Sequence, residues 1–226
     1  MIQSPFPDFV GFAVKSNDSL GEFTLSSQEA ALISPGAIKK RRDEFILGRA
    51  ACHSALKQIG FLTPPPVLKG NKNEPLWPDG YIGSLTHSSG IAVCAVCSRH
   101  NSTGIGVDIE EIFSDVDQGV FDLVCGVSER SWVEQNPDDK ILRFKQIFSA
   151  KEAAFKAFFP TAGQLLDFKD SSLIWNEREK CFIGRLNLQI TDLYTVGYKF
   201  SVGSLISDRI VFSYILLPPK TLTEER

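Results

Sequence analysis

The chain has 226 residues, 43% hydrophobic and 23% charged, which fits an ordinary folded protein of one large or two small domains and excludes a disordered one. A formal net charge of −3 gives no reason to expect nucleic-acid binding, and no apolar run nears the ~18 residues a membrane helix needs. The opening MIQSPFPDFVGF lacks the charged start and apolar core of a secretory signal. Five cysteines, an odd number, do not read as a disulfide framework, so a reducing, cytoplasmic setting is expected.

In chain order, residues 1–37 mix short apolar runs with Gly, Pro and Ser, with an early strand expected over 9–14. Residues 39–59 predict a helix with Phe45, Cys52, Leu56 and Ile59 on one face and Gly60 as its stop. The triple proline at 64–66 and the Gly-, Asn- and Pro-rich stretch at 70–80 read as loops. Strands are expected over 81–85 and 91–97, flanking a turn Thr86-His87-Ser88-Ser89-Gly90. Cys94 and Cys97 form a CxxC inside the second strand. An offset of three sends the thiols to opposite faces, so they read as small core residues and not as a metal pair.

Residues 104–109 predict another strand, ending in GVDIE (106–110). The stretch 113–136 is part helix and part loop, and Pro137-Asp138-Asp139 opens a helix expected to end by Pro160. The remainder holds β-rich runs at 173–175, 186–190, 199–207 and 210–217, then a polar tail. Each half thus has one amphipathic helix followed by strands that carry Gly-Ser-Leu, at 83–85 and 203–205. The expected fold class is α+β: two pseudo-duplicated α+β halves with the active site in the cleft between them. The halves would be residues 1–103 and 104–218, with 219–226 as tail.

Two acidic motifs carry the chemistry. Asp108 and Glu110 share one side of a strand, because side chains repeat every second residue. In FSAKEAAFKA (148–157), Glu152 and Lys156 share a helix face one turn apart. Three acids and a lysine suit a Mg²⁺ site for phosphate chemistry, since Mg²⁺ takes oxygen ligands and completes its shell with water and substrate phosphates. Read singly, the acids are also compatible with a solvated strand end, and Glu152 with Lys156 as a surface ion pair. Arg42 and Arg49 flank the apolar face of their helix, either as stems covering core edge or as guanidinium forks for phosphate. Thr86 and His87 sit in a turn that could cradle a phosphate or bond only its own backbone.

With these residues in place, the chain resembles the 4′-phosphopantetheinyl transferases of the surfactin- and enterobactin-synthesis type. The resemblance rests on RDEFILGR (42–49), Pro75-Leu76-Trp77-Pro78-Asp79-Gly80, Gly83-Ser84-Leu85-Thr86-His87-Ser88, GVDIE and FSAKEAAFKA, in family order over residues 40–160. It implies transfer of the phosphopantetheine arm of coenzyme A to a serine of an apo acyl or peptidyl carrier protein, releasing 3′,5′-ADP. It further implies that Asp108, Glu110 and Glu152 bind Mg²⁺, that Glu152 is the base and that Lys156 neutralises the pyrophosphate. Arg42, Arg49, Thr86 and His87 would hold the nucleotide, His87 on the 3′-phosphate. The family's usual basic residue near the W-P loop is replaced here by Asn73 and Glu74, with Lys72 nearest.

A metal-dependent phosphohydrolase and a non-catalytic coenzyme A or carrier module are the rival readings. The resemblance implies coenzyme A and an apo carrier protein as partners; no nucleic acid, no membrane and a monomeric chain are expected. Asp108 and Glu152 are expected as partly exposed acids. Phe113, Phe121 and Leu123 read either as helical core or as the wall where the carrier docks.

Overall fold

The computed structural model describes residues 2–113, 116–164, 166–207 and 209–220. Helix and sheet are both present, as the α+β reading requires, and the chain divides into two units: Met1–Ile105 with Leu216–Arg226, and Gly106–Ile215.

The first unit contains β1 (Gly11–Ser16), α1 (Ser27–Ala30), α2 (Lys39–Gln58), β2 (Leu68–Lys69), β3 (Pro75–Leu76), β4 (Tyr81–Ser88) and β5 (Ile91–Ser98). Its sheet runs β1-β5-β4, all antiparallel, and β2 pairs with β3 as a separate ribbon. The early strand thus starts two residues later than 9–14. Helix α2 packs on the sheet through Leu47, Ala51, Cys52, Ala55 and Leu56, which meet Ala92, Cys94 and Val96. Small residues set that face: a Cβ on Gly11 would lie 2.1 Å from the carbonyl oxygen of Ala55, so only glycine lets helix and strand approach this closely. Phe45, expected on this face with Cys52, Leu56 and Ile59, is only half-buried.

Gly60 (φ 102°) ends α2 with bonds from its own amide to Lys57 O and from Phe61 N to Leu56 O, a Schellman closure. The expected turn at 86–90 is corrected to two residues. Ser89 and Gly90 both take positive φ (50° and 73°), the conformation that joins a tight hairpin, so Thr86, His87 and Ser88 stay in β4 opposite Val93, Ala92 and Ile91. Cys94 belongs to the cluster against α2 and Cys97 does not, and both thiols are buried. Burial pushes the Cys97 thiol to about 11, the state of an inert core cysteine.

The second unit contains β6 (Ile105–Glu111), α3 (Gln118–Val124), α4 (Val127–Glu134), α5 (Lys140–Ala162), β7 (Ser171–Asn176), β8 (Cys181–Leu186), β9 (Lys199–Ile206) and β10 (Ile210–Leu216). The sheet order is β6-β10-β9-β8-β7. A 3₁₀ turn, Pro137–Asp139, capped by the Asn136 side chain on Asp138 N, leads into α5. The helix does not stop at Pro160. That residue falls in the last turn, where its missing amide forfeits one bond to the carbonyl four residues back but little helix remains to be kinked, and Gly163 (φ 64°) closes the end by donating to Phe159 O. A Cβ on Gly106 would lie 1.8 Å from Ala153 O, so α5 rides against β6 as α2 rides against β1. The strand expected at 186–190 is displaced: Leu186 ends β8, and 187–190 is not strand.

Leu217 and Pro218 are tied back to the first unit. Leu217 N donates to Gly104 O (2.8 Å), Ser102 Oγ to Leu217 O (2.6 Å) and Thr103 Oγ1 to Pro218 O (2.7 Å). Most of the expected tail, 221–226, lies outside the described residues. Among the described residues no helix is long and apolar enough to cross a membrane.

Candidate active site

Helix α5 carries Lys145, Ser149, Glu152 and Lys156 at i, i+4, i+7 and i+11, a single stripe along one face. That stripe lies against β6. Lys156 Nζ donates to Asp108 Oδ1 (2.7 Å) and Val107 O (3.2 Å), Ser149 Oγ to Asp108 O (3.3 Å), and Lys145 Nζ to Glu110 Oε2 (3.3 Å). Sequence alone supplied Asp108, Glu110, Glu152 and Lys156 but missed Lys145. The four-residue step back from Ser149 was the signal that could have found it.

Asp108 is only 5% exposed, a correction to its expected partial exposure: its side chain points at α5, which covers it. Glu110 and Glu152 are half-buried. Burial first, and then the charge of Asp108, hold the Glu110 carboxyl above the usual range, against the pull of Lys145. Glu152 is raised in the same way by burial and by Asp108 and Glu110, with Lys156 opposing. Each acid therefore feels the others, as expected of carboxylates gathered at one place. Glu152 makes no hydrogen bond among the described residues, which leaves its carboxylate available to an incoming proton donor.

Among the described residues no three His, Cys, Asp or Glu side chains form a ready-made ion cage. The donor chemistry nevertheless fits Mg²⁺. Hard carboxylate oxygens with raised proton affinity are relieved by a cation, and Mg²⁺ needs only one or two of them when substrate phosphates and waters fill the remaining positions.

The nucleotide candidates lie in the first unit and are differently placed. Arg42 is exposed and turned back on its own chain, Nε donating to Ala37 O (2.8 Å) and Nη2 to Pro35 O (3.3 Å). Arg49 is 3% exposed and stacks over Phe45 (4.3 Å), and its buried Nε has no hydrogen-bond partner among the described residues. Burial holds its guanidinium below the ordinary value, only partly offset by Cys52, Glu29 and Cys94. Lys69 Nζ lies over the same Phe45 ring at 5.2 Å, a second cation that sequence reasoning missed. His87 is exposed, with Nδ1 3.9 Å from Glu44 Oε2 of α2. Thr86 is buried on the opposite face of β4, as strand alternation dictates. Arg49 and Lys69 are thus brought together, whereas Thr86 and His87 are not.

Lys72 sits in a tight turn closed by Gly70 N to Glu74 O (2.8 Å), with its amide on Glu74 Oε2 (2.8 Å). Of the three proposed docking residues, Phe121 is core: fully buried, it stacks on Phe144 at 4.1 Å. Phe113 and Leu123 are 77% and 67% exposed.

Residues 28–97 match the family described as "4′-phosphopantetheinyl transferase N-terminal domain", and residues 104–205 match the "4′-phosphopantetheinyl transferase superfamily". The chain is 36% identical to 4′-phosphopantetheinyl transferase PptT of Mycobacterium tuberculosis over 158 residues, covering 70% of this chain and 68% of that one. It is likewise 36% identical to 4′-phosphopantetheinyl transferase Svp of Streptomyces mobaraensis, covering 72% and 65%. The match to enterobactin synthase component D of Salmonella typhi is 36%, covering 53% and 49%. Matched domains in both halves, together with an acid-lysine stripe on β6 and α5, give one conclusion: the chain belongs to the 4′-phosphopantetheinyl transferase superfamily.

Proposed function

We propose that this transferase performs its reaction at the β6–α5 face, with Mg²⁺ held by Asp108, Glu110 and Glu152. The family reaction is the transfer of 4′-phosphopantetheine from coenzyme A to a carrier-protein serine, which releases 3′,5′-ADP. The observation that carries the assignment is the stripe on α5, where Lys156 and Lys145 meet the acids of β6 and Glu152 stands without a hydrogen bond among the described residues.

In this reading Glu152 takes the serine proton as the serine oxygen bonds to the β-phosphorus. The bond from that phosphorus to the bridging oxygen breaks, and 3′,5′-ADP carries the electron pair away. Lys156 is placed to meet the negative charge growing on the departing phosphate, which accelerates the step because the charge is larger in the transition state than before it. Bound Mg²⁺ would supply further electrostatic stabilisation of the pyrophosphate oxygens. No protein nucleophile is required. Arg49, Lys69 and His87 are the nucleotide contacts this geometry favours, Lys69 standing in for the family's basic residue near the W-P loop, with Arg42 and Thr86 in supporting positions. The exposed Phe113 and Leu123 would meet an apo acyl or peptidyl carrier, and the enzyme would act as a cytoplasmic monomer.

The two units support a pseudo-duplicated ancestry. With the short helices α1, α3 and α4 set aside, each runs strand, long helix, an antiparallel strand pair, then two more strands: β1, α2, β2-β3, β4-β5 against β6, α5, β7-β8, β9-β10. In each, the first strand pairs with the last, which pairs with the strand before it. Gly-Ser-Leu falls in that penultimate strand both times, and Gly11 on Ala55 matches Gly106 on Ala153.

The test is the intact mass of apo carrier proteins after incubation with coenzyme A, Mg²⁺ and enzyme. A gain of one phosphopantetheine arm on the carrier is expected. Free phosphopantetheine formed without a carrier would point instead to a hydrolase, and binding without turnover to a non-catalytic module.

A further inference from the structure

A cavity of about 410 Å³ opens in the second unit between α4, α5, β7 and β9, lined by residues that the transferase chemistry does not use. Its volume is within the usual range for small-molecule sites. Trp132 and Trp175 form one wall, 6.0 Å apart by ring centroids and both backed edge-on by Phe182. Leu205, 43% exposed, adds apolar surface. Gln146 and Ser204, both nine-tenths or more buried, supply polar atoms, with Gln146 Nε2 3.4 Å from Ser204 Oγ.

The charge that matters is Arg143. Its guanidinium stacks over Trp132 at 5.1 Å, and Nη1 donates to Trp132 O (2.8 Å) and Gln135 Oε1 (3.3 Å). Those bonds fix the group in place and use only one nitrogen. The Nε–Nη2 edge has no hydrogen bond among the described residues, and it is the edge that binds a carboxylate side-on through two parallel N–H donors. The lining acids are already engaged: Asp139 accepts from Asn136 Nδ2 (2.6 Å), and Glu177 is held by Lys180 and by Trp175 Nε1 (2.6 Å).

We propose that this cavity is a second ligand site, separate from the β6–α5 face, which takes a small carboxylate with a flat apolar body. The carboxylate pairs with the open edge of Arg143. The body lies along Trp175 and Leu205, where aromatic contact and removal of apolar area from water stabilise it. The proposal does not depend on which reaction the β6–α5 face performs.

Isothermal titration calorimetry of the full chain with 2-naphthoate tests it, against 2-naphthamide, which has the same body and no charge. The naphthoate should bind at least tenfold tighter than the amide. Arg143→Gln should abolish that preference. Because Arg143 also holds Trp132 O, Leu205→Glu gives a second route: this exposed position puts like charge beside the ligand without touching Arg143, and affinity for naphthoate should fall at least tenfold with the circular dichroism unchanged. Saturating coenzyme A should leave naphthoate binding intact. Absence of binding at millimolar naphthoate, equal affinity for the amide, an unaffected Leu205→Glu, or displacement by coenzyme A would each overturn the proposal.

Discussion

Lys151 is fully buried, and its replacement by methionine should be the most destabilising single change in the FSAKEAAFKA motif. The three protons of its Nζ are shared among four acceptors, Glu129 Oε2 (2.9 Å), Val124 O (2.9 Å), Phe168 O (2.7 Å) and Ser171 O (3.1 Å). Glu129, 2% exposed, also accepts from Gly126 N (2.5 Å) and Leu173 N (2.8 Å), so one ion pair joins α5 to α4, to the end of α3 and to β7. Removing one partner of such a pair leaves the other charge buried and costs about 3–5 kcal/mol. The three freed carbonyls add to that by about 1 kcal/mol or more unless water reaches them. A loss of about 4–6 kcal/mol is a large part of the ~5–15 kcal/mol that holds a domain folded. Urea unfolding should therefore show a much lower midpoint for Lys151→Met, and Glu129→Gln in the same chain should restore at least about 1 kcal/mol by removing the stranded charge. A Lys151→Met protein within about 1 kcal/mol of wild type would refute the account, because the four bonds would then contribute almost nothing.

Asp108→Asn and Glu152→Gln should each lower carrier modification by about 10²–10⁴-fold, and urea midpoints measured alongside will separate lost chemistry from lost fold. His87→Ala should raise KM for coenzyme A with kcat nearly unchanged and leave dephospho-coenzyme A unaffected; equal weakening of both would remove the 3′-phosphate from its role. Phe113→Asp, at an exposed position, should impair carrier use at normal stability, whereas Phe121→Ala should cost about 3–5 kcal/mol in urea because it empties core. Burial pushes the Glu29 carboxyl up, but the Val67 amide, the His53 ring and the Ser26 amide and hydroxyl together hold it below its ordinary value. Glu29 thus contributes stability that is present above the usual carboxylate range and lost as pH falls through its lowered value. The stability gap between wild type and Glu29→Gln should accordingly close between pH 7 and strongly acid pH, and a gap that stays constant would contradict the assignment.

Local periodicity made some of this legible and hid the rest. The period of two put Asp108 and Glu110 on one side of β6, and the helical period put Glu152 and Lys156 on one face of α5; both placements hold because they need only neighbouring residues. The expected face of α2 holds at Cys52, Leu56 and Ile59, but not at Phe45, and its small members stay hidden in the pattern. Ala51, Ala55 and Gly48 have no bulk to stand out in a hydrophobic pattern, yet they decide how near the sheet can come. Strand β8 escaped because Gly184 and Arg185 interrupt its apolar run, and Gly184 is there to admit the ring of Phe200. The Ser89–Gly90 pair shortens the expected turn at Thr86 and His87 and leaves both in β4, where alternation sends their side chains to opposite faces. Lys151 could not be read as buried from local sequence, since its ion partner is 22 residues away and its carbonyl acceptors lie on other elements.

The FSAKEAAFKA motif therefore has two functions on two sides of one helix. Successive residues turn by about 100°, so adjacent Lys151 and Glu152 face different surroundings. On one side Lys151 draws carbonyls and Glu129 together, while Phe148 and Phe155 both pack on Phe168 (5.5 and 5.4 Å). On another side Ala153 presents its carbonyl to Gly106, an approach that any larger residue on β6 would block. That contact sets the depth at which α5 lies on β6, and with it the reach of Lys156 to Asp108. A substitution at Gly106 or Lys151 should thus disturb the acid site without touching an acid, by moving the helix that carries Glu152. The motif is recognisable in sequence because nearly every position in it answers to packing, to charge or to both.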